Sequence, residues 1–243
     1  MTPLTFDFTG GIRVWGWQGN AGLGDCVQAA LEDLRMAKAT VAGSAVDRVL
    51  YRVGFRPPRS AYTIQVYTQY LATLNEKPGP DVGTNVNDFL QYGLLHRPRP
   101  LILGWARVPL TGNDRDATIR ALALQFTGCL VTVQLTQNAY RNFYQPVPWH
   151  VGPGPLDRPV PALLHEVAVV RATKDFTVVA TWDQNKLVTP GFMDECAVSA
   201  HVVITDSDML APGWADKYAA IQALPGGTVY HAGVSSAVDQ GAI

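Results

Sequence analysis

A cysteine stands where a glycine-rich segment gives way to a helical pattern. Residues 19–34 read GNAGLGDCVQAALEDL, and Cys26 lies at the change. Apolar residues follow it at helical spacing: Val27, Ala30, Leu31 and Leu34. The pattern therefore predicts that Cys26 lies in the first turn of a helix, whose partial positive charge and free N–H groups favour a thiolate and stabilise an oxyanion. This setting suits nucleophilic attack on an acyl carbon, although an unpaired cysteine can equally be a small apolar core residue.

A histidine begins a second informative segment about 140 residues later. Residues 163–184 read LLHEVAVVRATKDFTVVATWDQ, in which an apolar run after His165 predicts a strand. Lys174 and Asp175 predict a turn, and residues 176–182 predict the returning strand of a hairpin. A strand holds a histidine in the fixed geometry that a general base needs. This favours His165 over His150, which lies in a proline-rich segment.

The order and spacing of these two segments resemble the papain-like cysteine peptidases, in particular the papain-like proteins of actinobacterial phages. Residues 80–86 (PDVGTNV) and 196–204 (CAVSAHVVI) resemble that group as well. The resemblance extends from Trp15 to about Leu224. It implies a papain-like α+β fold and a hydrolase that cleaves peptide or isopeptide bonds.

The resemblance assigns roles to individual positions. Cys26 matches the nucleophile and His165 the general base. Asn20, six residues before the cysteine, matches the oxyanion-hole amide that papain-like enzymes supply from a glutamine. With the backbone N–H of Cys26, it would hold the oxyanion.

The residue that would orient the histidine departs from the family pattern. Papain-like enzymes place an asparagine before Ser-Trp, whereas this chain has Ala180 or Thr181 before Trp182. Asp183 follows the tryptophan and supplies a nearby carboxylate, and Thr181 or Gln184 are the alternatives. Because the orienting group fixes the tautomer and ring angle of the histidine, its identity bears directly on activity.

Two classes of function remain open at this point. Transglutaminase-like and arylamine acetyltransferase-like enzymes also use a cysteine, a histidine and a carboxylate. Because Asp183 supplies a carboxylate, both of these enzyme classes remain open. The competing class is a non-catalytic virion protein, in which the tail or head surface of a phage uses a papain-like fold as a building block. The expected partners are therefore a peptide or protein substrate, or other phage virion proteins.

Composition excludes several other classes of function. Of 243 residues, 47% are hydrophobic and 16% charged, which is typical of a well-packed globule. The 19 basic and 20 acidic residues are not clustered, so we expect neither nucleic acid nor an anionic membrane as a partner. Cys26, Cys129 and Cys196 lack CxxC spacing, which is evidence against a disulfide framework and a structural zinc site. We expect no cofactor or metal.

The chain shows no secretory signal and no apolar run of about 20 residues. We therefore expect synthesis in a reducing cytoplasm, and the resemblance adds the virion as a second location.

The predicted fold is a single α+β unit over residues 1–243, with a central N-terminal helix packed on a twisted antiparallel sheet. Residues 1–18 form an arm, 19–126 a mainly helical lobe, 127–225 a mainly β lobe, and 226–243 a mobile tail or docking strand. The predicted helices are 25–43, 60–75, 85–95, 114–126, 190–195 and 214–224. Strands are predicted at 101–108, 129–135 and 196–204 besides the hairpin, and a long loop at 136–161.

Overall fold

An antiparallel sheet with helices on both faces forms the framework of the molecule. The computed structural model describes residues 4–10, 12, 15–16, 23–42, 60–79, 83–96 and 101–229. Over these residues the chain is a mixed α+β fold with seven α-helices and eight strands, so the predicted α+β class is confirmed. None of the helices in these ranges is long and apolar enough to cross a membrane.

In the described ranges, three consecutive helices follow the first strand, and most of the strands lie in the second half of the chain. The helices are α1 (Cys26–Ala42), α2 (Ser60–Thr73), α3 (Val86–Leu95), α4 (Arg115–Phe126), α5 (Gln137–Arg141), α6 (Pro190–Cys196) and α7 (Trp214–Ala223). The strands are β1 (Phe6–Asp7), β2 (Gly104–Pro109), β3 (Cys129–Thr136), β4 (Pro159–Ala172), β5 (Thr177–Thr181), β6 (Gln184–Val188), β7 (Ala197–Ile204) and β8 (Thr228–Val229). Their order in the sheet is β6-β5-β4-β3-β7-β2-β8, and β1 pairs with the end of β4.

The two faces of the sheet bury two different cores. Leu130 on β3 lies opposite Ala168 on β4, and both pack with α1, α2 and α3. Val131 lies opposite Val167, and both pack with α4 and α6. Since successive strand residues face opposite sides, this alternation covers both faces of the central strands with apolar side chains.

Helix α1 is held in the first core by apolar packing and by a buried ion pair near its C-terminal end. Its apolar residues Leu34 and Ala37 are fully buried. Near its C-terminal end the buried Lys38 Nζ lies 2.9 Å from the Asp208 carboxylate and donates to the Phe126 carbonyl at 2.5 Å. Burial would raise the pKa of Asp208, but Lys38, the Thr205 backbone N–H and Lys217 outweigh burial and lower it. Burial also lowers the pKa of Lys38, and the Asp208 carboxylate opposes that shift. The short contact between the two groups fixes the helix against the sheet.

The predicted loop over residues 136–161 is wrong in part. The Thr136 side chain accepts a hydrogen bond from the Ala139 N–H and begins helix α5. A 3₁₀ helix follows at Pro155–Asp157, and β4 already begins at Pro159. Prolines are tolerated at the first residues of a strand, so the proline-rich composition concealed the start of β4.

Strand β6 is an element that the sequence prediction missed. Its residues are mostly polar (QNKLV), and it pairs with β5 through the two-residue turn Trp182–Asp183. Both turn residues have positive φ, 44° and 62°. Turns of this kind normally contain Asn or Gly, so the sequence carries no hairpin signal here.

We predict that Asp208→Asn lowers the free energy of unfolding by about 3–5 kcal/mol, because it leaves the buried Lys38 without its carboxylate partner. Glu195→Gln makes the same chemical change in an exposed ion pair with Arg158 and should cost less than about 1 kcal/mol. Urea denaturation at pH 7 measures both values. Equal losses in the two variants would show that the buried pair does not hold α1.

Candidate active site

Cys26 is the first residue of α1. The Asp25 carbonyl accepts the first intrahelical hydrogen bond from the Ala29 N–H at 3.0 Å, and the Gly24 N–H donates to the Gly79 carbonyl at 3.1 Å. Helix α1 therefore begins where the glycine-rich segment is tied to the residues after α2. The first N–H groups of a helix have no intrahelical acceptor, so the backbone N–H of Cys26 is among those available to an oxyanion.

Cys26 and His165 line one cleft of about 470 Å³. The cleft lies between the start of α1, the start of α3, the middle of strands β2, β3 and β4, and the first half of β7. Cys26 is half-buried, whereas His165 on β4 is 5% exposed. The fold thus brings together two residues that are 139 positions apart in the chain.

Two neighbours of the β5–β6 turn hold the His165 ring. Its Nε2 lies 2.7 Å from the Thr181 hydroxyl oxygen, at the end of β5. The Trp182 ring stacks on the imidazole at 4.1 Å, with the two planes 10° apart. One contact fixes the rotation of the ring and the other covers its face, so Nδ1 is the nitrogen left for another partner.

Trp182 holds this position at a conformational cost. A bulky residue with φ of 44° is an outlier that the surrounding structure must enforce. Phe143 packs on Trp182 at 4.6 Å, and Trp149 meets it edge-on at 6.0 Å. The aromatic packing offsets the backbone strain and keeps the Trp182 ring against His165.

Burial keeps both groups of the pair neutral. Burial raises the pKa of the Cys26 thiol to about 12; the backbone N–H of Glu166 lowers it, and the charges of Glu166 and Asp25 raise it further. Burial lowers the pKa of His165 to about 3. The sequence predicted that the helix N-terminus would favour a thiolate, but desolvation outweighs the backbone N–H groups of Glu166 and Val27, which lower this pKa. At neutral pH the free protein therefore holds a thiol and a neutral imidazole.

The remaining predicted site residues occupy other positions. Asn20 lies outside the described residues. Asp183 lies in the β5–β6 turn, and its Oδ1 accepts a hydrogen bond from the Gly16 N–H at 2.5 Å. Gln184 donates to the Phe143 carbonyl at 2.6 Å. Among the proposed orienting residues, Thr181 is the one that the structure places on His165.

His150 also lies away from this arrangement. It is an exposed residue, and its Nδ1 lies 3.2 Å from the carbonyl of Pro148, two residues earlier.

The sequence analysis missed a buried polar cluster in the wall of the same cleft. Glu166, directly after His165, accepts a hydrogen bond from the Thr132 hydroxyl at 2.6 Å and lies 3.5 Å from His201. Ser199 donates to the Thr132 hydroxyl oxygen at 3.3 Å, and His201 contacts Asn87 on α3 at 3.2 Å. The available signal was the set of isolated polar residues within otherwise apolar strands, but only the strand register brings them together.

Within the described ranges, no three His, Cys, Asp or Glu residues are grouped in a way that would hold a metal ion.

No protein-family model matches the chain, and a search of curated proteins finds no match either. The function is therefore inferred from the geometry and charges of the cleft.

We predict that iodoacetamide alkylates Cys26 slowly at pH 7, because a thiol with a pKa of about 12 is almost entirely protonated there. The rate should rise about tenfold for each pH unit between pH 7 and 10, since it follows the thiolate fraction. Peptide mass spectrometry distinguishes Cys26 from the fully buried Cys129 and Cys196. A rate that is already constant from pH 5 upward would reveal a thiolate–imidazolium pair and contradict this prediction.

We also predict that Asp25→Asn stabilises the protein at high pH. Both Asp25 carboxylate oxygens are buried without a hydrogen-bond partner, and burial raises the pKa of this group to about 7. Because the folded state holds this proton more tightly than the unfolded state, the native protein loses stability as pH rises from about 4 to 7. The variant should gain on the order of 2–4 kcal/mol at pH 8 and almost nothing at pH 4.

Urea denaturation at the two pH values measures this difference. Asp175→Asn, at an exposed position in the β4–β5 turn, is the matched control and should change stability little at either pH. An equal gain at pH 4 and pH 8 would show that ionisation of Asp25 is not the cause.

Proposed function

We propose that this protein is a cysteine hydrolase with a papain-like arrangement, which cleaves peptide or isopeptide bonds. One observation carries the proposal. Cys26, at the N-terminus of α1, and His165, on β4, line the same cleft, while Thr181 and Trp182 fix the histidine ring. A nucleophile, a base and a group that orients the base are the three parts that acyl transfer by a thiol requires.

The first step follows from the hydrogen bond of His165. With its proton on Nε2, the neutral imidazole donates to the Thr181 hydroxyl oxygen and leaves Nδ1 free to accept a proton. The Cys26 sulfur attacks the substrate carbonyl carbon, and the thiol proton passes to Nδ1. The backbone N–H of Cys26, assisted by Asn20 as the family resemblance implies, stabilises the oxyanion.

The second step returns the proton and releases the products. The protonated imidazole donates its Nδ1 proton to the leaving amine, and the C–N bond breaks to give a thioester on Cys26. Water then attacks the thioester with His165 again as the base, which regenerates the thiol and releases the acid. No redox partner or metal takes part in either step.

The neutral pair gives this site a different resting state from a thiolate–imidazolium pair. The proton moves only when the carbonyl carbon is within reach, so the free thiol is protected from alkylation and oxidation. At low pH the rate should fall only as His165 becomes protonated, and its pKa is about 3. Protonation of His165 should therefore not lower the activity between pH 8 and pH 5.

The same neutral pair favours a second candidate function, a virion protein that uses the fold without catalysis. A thiol with a pKa of about 12 and a histidine with a pKa of about 3 make a weak nucleophile and a weak base. In that case the chain would be present at fixed stoichiometry in purified phage particles. Mass spectrometry of such particles tests this candidate, and absence of the chain would rule it out.

The hydrolase proposal is tested with a peptide library prepared from a cell proteome. The native protein should produce new peptide termini that the Cys26→Ala variant does not, when both are incubated with the library between pH 5 and 8. Identical peptide patterns for the two proteins across this range would contradict the proposal.

We predict that Thr181→Val lowers kcat about 10- to 100-fold, because the nearly isosteric side chain cannot bind Nε2 and the ring loses its orientation. KM should change little, since Thr181 is placed on His165 and not on the substrate. Thr181→Ser keeps the hydroxyl and should retain most of the activity. Equal rates for the Val and Ser variants would show that the hydroxyl does not orient His165.

A further inference from the structure

The polar cluster in the cleft wall has all of its donors in use. The Ser199 hydroxyl donates to Thr132, and the Thr132 hydroxyl donates to Glu166 Oε2. With a proton on Nε2, His201 donates to the Asn87 side-chain oxygen, which lies 3.2 Å away. The hydrogen bonds therefore run in one direction and end on acceptors.

Two acceptors of this cluster have no hydrogen-bond partner. They are Glu166 Oε1 and His201 Nδ1, which are buried and lie 3.5 Å apart. A carboxylate can only accept, and a neutral imidazole with its proton on Nε2 can only accept at Nδ1. Buried acceptors without a donor are costly, so this site lacks a donor that a ligand could supply.

We propose that the cluster is a recognition pocket for a basic side chain, lysine or arginine, of the peptide whose bond Cys26 attacks. This inference rests on the proposed function, because it assigns the substrate class of the same cleft. Glu166 directly follows His165 on β4, and its backbone N–H interacts with the Cys26 sulfur, so the pocket adjoins the nucleophile.

The distance between the two acceptors fits one donor nitrogen. A nitrogen that makes ordinary hydrogen bonds of about 2.9 Å can reach two acceptors 3.5 Å apart at the same time. Both atoms are closed to solvent in the free protein, so the side chains that cover them must part as the ligand enters, while Thr132 retains Glu166 Oε2 and Asn87 retains the His201 ring. A hydrogen bond between a cation and a carboxylate is about twice as strong as a neutral one, which favours an ammonium or guanidinium over an amide.

The surroundings of the pocket agree with a long basic side chain. Leu164 and Val198 line the cleft and are exposed, so they offer an apolar surface to the methylene stem. Arg107, which pairs with His201 across the sheet, also lines the cleft, but it is exposed to solvent and its repulsion is screened.

The test compares two peptides that differ only in arginine or citrulline beside the cleaved bond, since citrulline has nearly the same shape without the charge. The native protein should cleave the arginine peptide with a kcat/KM at least about tenfold higher. Glu166→Gln should abolish this preference, whereas Glu195→Gln, the same change at an exposed site, should keep it. Equal kcat/KM values for both peptides with the native protein would overturn the pocket.

Binding to the Cys26→Ala variant separates this inference from the proposed function. Calorimetry should show tighter binding of the arginine peptide to Cys26→Ala, and Glu166→Gln in the same background should remove the difference. Preferential binding of the arginine peptide without any hydrolysis would contradict the proposed hydrolase activity and support the recognition pocket. Hydrolysis without a preference for arginine would contradict the recognition pocket and support the hydrolase activity. If Glu166→Gln does not fold, Glu166→Asp serves instead, since it keeps the charge and shortens its reach. In that background an unchanged preference would overturn the pocket, and a reduced one would support it.

Discussion

The burial of α1 against the sheet is the constraint on which the rest of the structure depends. The helix carries Cys26 at its first residue and Lys38 near its last turn, and Lys38 is bound to Asp208 and the Phe126 carbonyl inside the core. Apolar packing and this ion pair fix the helix against the sheet. They therefore help to place Cys26 at the cleft that His165 and Glu166 also line.

The same burial determines the chemistry of the cleft. Desolvation raises the pKa of Cys26 and lowers that of His165, and it does so more strongly than the helix N-terminus favours a thiolate. Different features therefore determine geometry and charge. Thr181 and the strained residue Trp182 hold the His165 ring in place, while low solvation keeps Cys26 and His165 uncharged. The cost of the Trp182 backbone is offset by the aromatic residues packed around it.

Much of the fold could be predicted from the sequence because its signals are local. The periodicity after Cys26 and the alternating run after His165 specify α1 and the β4–β5 hairpin without reference to the rest of the chain. The sequence did not decide which of Thr181, Asp183 and Gln184 contacts His165. The answer depends on the β5–β6 turn, whose residues are not typical of a hairpin. The polar cluster in the cleft wall was missed for a related reason. Thr132, Glu166 and Ser199 lie on three different strands, and only the register of the sheet places them next to one another.

The central claim is that Cys26 is a nucleophile that His165 activates only when a carbonyl-like electrophile is bound. The most direct measurement is the intact mass of the protein after incubation with a peptidyl vinyl sulfone at pH 7. Our account predicts a single adduct on Cys26 that forms much faster than alkylation by iodoacetamide and is lost in His165→Ala. Equal adduct formation in His165→Ala, or no adduct with the native protein, would contradict it.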